Sequence, residues 1–228
     1  MASPQEDNAG KSSEGSSSFE QWRRKAAWMT GLGLSAEDVK RRDEISQLQR
    51  DERDWKWCEK KKAELLHTSP AVVFMMKQLK LINCNVTADH LMCQPCHRLS
   101  AGGFSHEYGI LLCQDGFRNK KHMEDTIVHE LIHMYDHAKF KVDWKNLKHQ
   151  ACSEIRAAHL SGDCSYRREF DRGFGLRFTA QHMDCVRRRA VLSVSLNPEC
   201  PDEATAVKAV NEVWDSCIKD TRPFDELY

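Results

Sequence analysis

Apolar residues recur at helical spacing between positions 122 and 138, the strongest such pattern in the chain. Met123, Ile127 and Leu131 form a row at i, i+4 and i+8, and Val128 lies beside it. A row of this kind predicts an amphipathic helix that packs one face against a core.

Weaker patterns predict further elements on both sides of this helix. Tyr108–Cys113 is a short apolar run bounded by turn residues, which favours a strand, and Gly102-Gly103-Phe104 before it is typical of a turn. Further helices are predicted over 35–66, with Ser35 as N-cap, over 70–81, over 147–160, with Gly162 after the last turn, and from about 202 to 219.

Composition divides the chain into three parts. Residues 1–18 are rich in Ser, Gly and Asn and are expected to be disordered, because they offer too little apolar surface to offset the entropy of ordering. Residues 19–66 form a charged helical region. Residues 67–228 carry most of the apolar pattern and are predicted to be the main domain.

The charge balance excludes one broad class of partner. Lys and Arg number 34, as do Asp and Glu, so the chain has no net basic field and nucleic acid is not an expected partner. No apolar run reaches the roughly 18 residues of a membrane-spanning helix, so a membrane relationship would be peripheral. The N-terminal residues resemble neither a secretory signal nor a transit peptide.

The helix predicted over 122–138 contains the candidate catalytic residues. His129-Glu130-Leu131-Ile132-His133 is a His-Glu-x-x-His motif. Residues at i and i+4 share a helix face, so both imidazoles can reach one metal ion. Glu130 is rotated about 100° from His129, where it can act as a general base or acid beside the metal without binding it. This arrangement is typical of zinc metallopeptidases.

Zinc requires a third protein ligand and an open coordination position. His137 continues the series, but it lies eight residues from His129, about 12 Å along one helix. The predicted second helix returns antiparallel and offers Glu154, our preferred third ligand. Asp136 is better placed to orient an imidazole. Other possibilities remain: Asp136, His149 or His159 could be the ligand, and Glu154 could simply pair with Arg156 or a nearby Lys.

The block from His129 to Cys164, HELIHMYDHAKFKVDWKNLKHQACSEIRAAHLSGDC, resembles the family of mitochondrial inner-membrane metalloproteases that mature subunit a (subunit 6) of the ATP synthase. The similarity extends from about Cys58 to the C-terminus and includes Cys93-Gln94-Pro95-Cys96. It implies an α+β, mainly helical, cysteine-rich zincin-like domain with a small antiparallel sheet. In zincins an edge strand pairs with the substrate, a role that Tyr108–Cys113 could fill, although an ordinary core strand explains this run equally well.

The resemblance also implies a function. The family is a zinc-dependent endopeptidase with one catalytic Zn²⁺, located on the intermembrane-space side of the inner membrane as a peripheral protein. Its client is the precursor of ATP synthase subunit a, whose N-terminal extension it removes, and it assists assembly of the membrane sector. By this comparison His129 and His133 are metal ligands and Glu130 is catalytic.

Two other functions are compatible with the same residues. One is a non-proteolytic assembly chaperone. The other is a scaffold for DNA repair, because an animal relative was described as a partner of the Ku heterodimer. A carboxylate beside an open metal position, here Glu130, is needed only by the peptidase.

The sequence also contains ten cysteines and a cluster of three arginines. An intermembrane-space location would favour disulfides, although buried thiols are an alternative, and the connectivity does not follow from sequence. Cys93-x-x-Cys96 alone is weak evidence for structural zinc. Arg187-Arg188-Arg189 could meet anionic lipid, but a solvated helix face is the simpler interpretation.

Overall fold

The computed structural model describes residues 14–96, 100–165, 169–170, 172–173 and 181–227. Within these residues it contains seven α-helices and three β-strands, which confirms the α+β, mainly helical class. The elements are α1 (Glu14–Thr30), α2 (Ala36–Thr68), α3 (Pro70–Leu81), β1 (Leu91–Gln94), β2 (Gly102–Ser105), β3 (Gly109–Cys113), α4 (Lys120–Phe140), α5 (Leu147–Leu160), α6 (Gln181–Ser195) and α7 (Glu203–Cys217).

The chain divides into two compact units, Met1–Glu52 and Arg53–Tyr228. The dividing point falls inside α2, whereas sequence analysis places a domain boundary after residue 66, which stays a prediction. Residues 1–13, most of the predicted tail, lie outside the described residues, and α1 begins at Glu14. No helix in the described part of the chain is both long enough and apolar enough to cross a bilayer.

Helix ends are fixed by local side chains. Asn119 precedes α4 and its side chain accepts a hydrogen bond from the His122 amide. Asn146 does the same for the first turn of α5, and Asp202 for α7. Each such cap satisfies an amide that the helix itself leaves unpaired. The short loop between α4 and α5 begins at Lys141, whose left-handed backbone ends α4, and finishes at Asn146, and α5 returns along α4.

The sheet is mixed, which corrects the prediction of an antiparallel sheet. Its order is β1-β3-β2. β2 and β3 form an antiparallel hairpin, but β1 lies along the other side of β3 and runs parallel to it. The predicted strand Tyr108–Cys113 is therefore the central strand, with a neighbour on each side, and an edge role for it is wrong.

The glycines at 102 and 103 form β2 and not the predicted turn. The reason is a close approach to α4. A Cβ on Gly102 would lie 2.9 Å from Cγ2 of Thr126 and 2.9 Å from the Leu111 carbonyl oxygen, whereas a Cβ on Gly103 would meet nothing within 4 Å. The sheet can pack this closely on α4 because position 102 has no side chain.

Buried apolar residues of the larger unit form two clusters. The first joins the end of α2, α3, the sheet and α4, and includes Leu65, Met75 and Leu131. The second joins α5, α6 and α7, and includes Ile155 and Val210. Helices α4 and α5 pack against each other, so their contact is the seam between the two clusters.

All ten cysteines lie in the described residues, and eight of them form disulfides. The pairs are Cys58–Cys93, Cys96–Cys113, Cys152–Cys217 and Cys164–Cys185. Cys84 and Cys200 are free thiols. Both cysteines of the Cys93-x-x-Cys96 motif are thus bonded to other partners, which leaves them no thiolate for structural zinc.

Candidate active site

The two histidines of the motif lie on the buried face of α4. Their rings are nearly perpendicular, with centroids 4.7 Å apart. His129 is 9% exposed and His133 is 5% exposed. Because the side chains are one turn apart on a helix packed on several sides, their Nε2 atoms are directed to a common point.

That common point is completed by α5. Glu154 places Oε2 3.5 Å from Nε2 of His129 and Oε1 3.4 Å from Nε2 of His133. These three side chains bring their ligand atoms within 4.8 Å of one another, and no other such group of three occurs in the described residues. Two neutral nitrogens and a carboxylate are a donor set suited to a divalent cation.

A hydrogen-bond chain fixes the tautomer of His133. The Ser153 hydroxyl donates to Oδ2 of Asp136 at 2.9 Å and lies 2.8 Å from Nδ1 of His133. Since that hydroxyl proton is used by Asp136, Ser153 must accept from Nδ1–H of His133. The lone pair of Nε2 is then free and aimed at the candidate metal position.

Arg156 anchors the far end of this chain. Its Nε lies 3.1 Å from both carboxylate oxygens of Asp136, and the arginine is 2% exposed. Asp136 thus orients an imidazole, as predicted, although it acts through Ser153. Arg156 also binds Asp220, so it does not pair with Glu154.

The charges of the three clustered residues follow from burial and from one another. Burial favours a neutral Glu154, but His133, His129 and the Ser193 hydroxyl, 2.6 Å from Oε1, together lower its pKa to about 2. Burial lowers the pKa of His133 to about 4. Burial also acts to lower the pKa of His129, yet the contact with Glu154 and the charge of Glu130 raise it above 6.5.

Glu130 lies next to this cluster and is 6% exposed. Burial raises its pKa to about 7, helped by the charges of Glu154 and Asp163 and opposed by those of His129 and Arg189. A carboxyl group with a pKa near neutrality can both take and return a proton. Its Cγ would be 3.6 Å from a Cβ at Gly102, so β2 passes directly beside it.

Aromatic side chains form one wall of the site. The Trp144 ring, from the loop between α4 and α5, meets the His133 ring edge-on at 5.7 Å. Phe104 of β2 packs against Trp144 at 5.8 Å, and His137 accepts a hydrogen bond from the Trp144 indole. These rings pack against that side of the cluster.

A model of the Peptidase M76 family matches residues 56–225, which include every residue of this cluster. The chain belongs to the Peptidase M76 family. It is therefore a metallopeptidase, in which the cluster of His129, His133 and Glu154 is the candidate metal centre.

Curated relatives extend the match over most of the chain. It is 46% identical over 212 residues to the "Mitochondrial inner membrane protease ATP23" of Yarrowia lipolytica, covering 93% of this chain and 84% of the relative. The protein of the same name from Candida glabrata is 45% identical over 220 residues, covering 92% and 98%. That of Aspergillus niger is 51% identical over 176 residues, covering 77% and 74%. No solved structure matches.

Other candidate ligands from the sequence lie elsewhere in this M76 chain. His149 accepts a hydrogen bond from the Asp143 amide, and His159 lies 2.8 Å from the ring of His182. His137 is held by Trp144. These three histidines are therefore not part of the cluster.

Sequence reasoning missed the residues that hold the cluster in place. Ser153, Ser193 and Trp144 carry no motif, and each reaches the site from a different element of the M76 fold. Only the antiparallel return of α5 could have suggested one of them, because Ser153 precedes Glu154 and shares the side of α5 that faces α4.

Proposed function

We propose that this protein is a zinc-dependent endopeptidase on the intermembrane-space side of the mitochondrial inner membrane. Its proposed substrate is the precursor of ATP synthase subunit a, from which it removes the N-terminal extension, and it also assists assembly of the membrane sector. Family membership supports the peptidase, and the printed names of the relatives support the membrane. The resemblance of the His129–Cys164 block supports the substrate.

The spacing of the three ligands is the observation that supports zinc. A tetrahedral zinc ion with ligands at about 2.0–2.1 Å requires neighbouring ligand atoms about 3.4 Å apart. Oε2 of Glu154 lies 3.5 Å from Nε2 of His129 and Oε1 lies 3.4 Å from Nε2 of His133, and the ligand atoms all lie within 4.8 Å of one another, close enough to share one ion. His129, His133 and Glu154 would hold the ion and leave its fourth position open.

When bound there, zinc supplies Lewis-acid polarisation of water and of the scissile carbonyl. Glu130 does the proton work, because it is close to the cluster and its pKa is about 7. Its carboxylate takes a proton from the attacking water and delivers it to the leaving amine nitrogen. Trp144 and Phe104 exclude bulk water, which strengthens each electrostatic interaction in the site.

Strand β2 is the proposed binding edge for the substrate. It is the outer strand beside the site, only half-buried, and it passes next to Glu130 at Gly102. An extended peptide added to β2 would be held by main-chain hydrogen bonds. The side chain at position 103 is absent, and the space above it is open, so a peptide can approach closely.

The decisive variant is Glu130→Gln, which keeps the shape of the side chain but removes its basicity. We expect it to bind one zinc per chain and to cleave the subunit a precursor at least a hundredfold more slowly than the wild type. Glu203→Gln, at an exposed glutamate of α7 away from the site, is the matched control and should cleave normally. Cleavage by Glu130→Gln at the wild-type rate would exclude the assigned role.

A further inference from the structure

Helix α1 carries an apolar face that is open to solvent. With 100° per residue, Phe19, Trp22 and Met29 fall within an arc of about 80° around the helix axis. They are 61%, 64% and 79% exposed. The rings of Phe19 and Trp22 stack with centroids 6.0 Å apart. Large apolar side chains grouped on a surface in this way mark an interaction site.

Basic side chains flank this face on both sides. Arg23 lies about 40° beyond Phe19 on the helical wheel, and Lys25 lies about 40° beyond Met29 on the opposite side. Both are exposed. Arg23 makes a 3.1 Å ion pair with Glu20, which is exposed and therefore weak. Long basic side chains at the border of an apolar face can extend their charges outward while their stems stay with the apolar residues.

The composition of α1 favours one occupant for this face. An aromatic and methionine stripe, bordered by Arg and Lys on a helix of low overall hydrophobicity, is the pattern of a helix that lies in the plane of a lipid surface. Between Phe19 and Leu32 the chain holds three basic residues and a single acid. Leu32, in the turn after α1, is a further exposed apolar side chain, at 76%.

The arginine cluster at 187–189 does not offer a similar surface. Arg188 binds Glu169 at 2.6 Å, Arg189 binds Asp163, and the Arg187 guanidinium lies 4.0 Å from the centroid of the Trp214 ring. These three arginines are used in contacts within the protein. The three bases of α1 are thus better placed to meet an external anionic surface.

We propose that α1 binds the surface of an anionic phospholipid bilayer, inserting Phe19, Trp22 and Met29 between headgroups while Arg23 and Lys25 contact phosphates. This inference rests on the proposed location at the inner membrane and names the element responsible for it.

Flotation of the full-length protein with vesicles tests this proposal. The vesicles are phosphatidylcholine alone, or phosphatidylcholine with 20% cardiolipin by weight. We expect the wild type to float with the cardiolipin vesicles and Trp22→Glu to bind at least tenfold more weakly. Gln21→Glu adds the same charge to the same turn, but outside the apolar arc, and should weaken binding no more than threefold. Arg23→Gln with Lys25→Gln should lower the affinity for cardiolipin vesicles about 30-fold.

Three results would overturn the proposal. They are equal losses for Trp22→Glu and Gln21→Glu, no flotation of the wild type, and binding only to mitochondrial membranes that retain their proteins, which would assign the face to a protein partner. Measuring peptidase activity in the same variants distinguishes failure of the membrane proposal from failure of the proposed function. Trp22→Glu should still cleave precursor in detergent solution, whereas Glu130→Gln should float but not cleave.

Discussion

Ser153 is the residue on which the orientation of His133 depends. Its hydroxyl accepts from Nδ1 of His133 and donates to Asp136, so it transmits the position of a buried, arginine-bound carboxylate to an imidazole. Asp136 could not take over the hydrogen bond to His133 without moving, because Arg156 already holds its side chain.

Replacing Ser153 by Ala should therefore weaken metal binding about 10- to 100-fold, the usual effect of losing a partner that orients a ligand. Competition with a fluorescent zinc chelator would measure it. Ser195→Ala is the control, because the Ser195 hydroxyl only meets the carbonyl of Leu192 near the end of α6. Equal affinities for the two variants would show that Ser153 does not orient His133.

Metal binding should also depend on pH through His129. Its pKa is raised above 6.5, so at lower pH a metal ion must displace its proton, whereas His133, with a pKa of about 4, and Glu154, with a pKa of about 2, are already deprotonated. Apparent affinity should fall about tenfold per pH unit below the pKa of His129, down to about pH 4 where His133 also titrates. Titration calorimetry in two buffers should detect one proton released. Affinity that is constant from pH 5 to 8 would contradict this.

At the scale of elements, the approach of β2 to α4 sets the distance between the proposed peptide-binding edge and Glu130. Gly102→Ala places a methyl group 2.9 Å from Thr126 Cγ2 and from a backbone oxygen, and neither can move freely. We expect a loss of about 1–3 kcal/mol in the free energy of unfolding. Gly103→Ala, in the same strand with open space, should change it by less than about 1 kcal/mol. Urea denaturation would compare them, and equal losses would contradict the packing argument.

The helices followed from sequence more readily than the strands. Apolar spacing, with Gly162 after the second helix, predicted 70–81 and 147–160 as the structure has them, and the structure adds Ser69 and Asn146 as their caps. Strand β2 was missed because paired glycines are typical of turns. Its glycine at 102 is explained by a helix 24 residues further on, which no local pattern reveals.

The residues of the candidate site also fall into those that local spacing predicted and those that depend on tertiary packing. The spacing of His129 and His133 is local, and the return of α5 was enough to suggest Glu154; both assignments as ligands stay predictions. Ser193 reaches Glu154 across 39 residues, and such a contact depends on how α6 packs against α5. The disulfide pairs likewise follow from tertiary packing, which spacing along the chain does not encode.

For the whole molecule, the Cys152–Cys217 disulfide joins α5 to the end of α7 across 65 residues of sequence. Cross-linking across a loop of this length restricts the unfolded chain and contributes up to about 4 kcal/mol. Cys152→Ser with Cys217→Ser should lower the unfolding free energy by about 2–4 kcal/mol in urea. The control, Cys84→Ser with Cys200→Ser, alters the two free thiols and should have little effect. Similar losses in both pairs would show that the cross-link is not what stabilises the domain.

A cation held at the seam between α4 and α5 would have a structural role as well. His129 and His133 belong to a helix whose apolar side is buried with the sheet, while Glu154 belongs to a helix buried with α6 and α7. An ion bound by all three side chains would link the two apolar clusters. Chelation should then weaken this seam and lower the free energy of unfolding, while the Asp136–Arg156 ion pair continues to join α4 to α5.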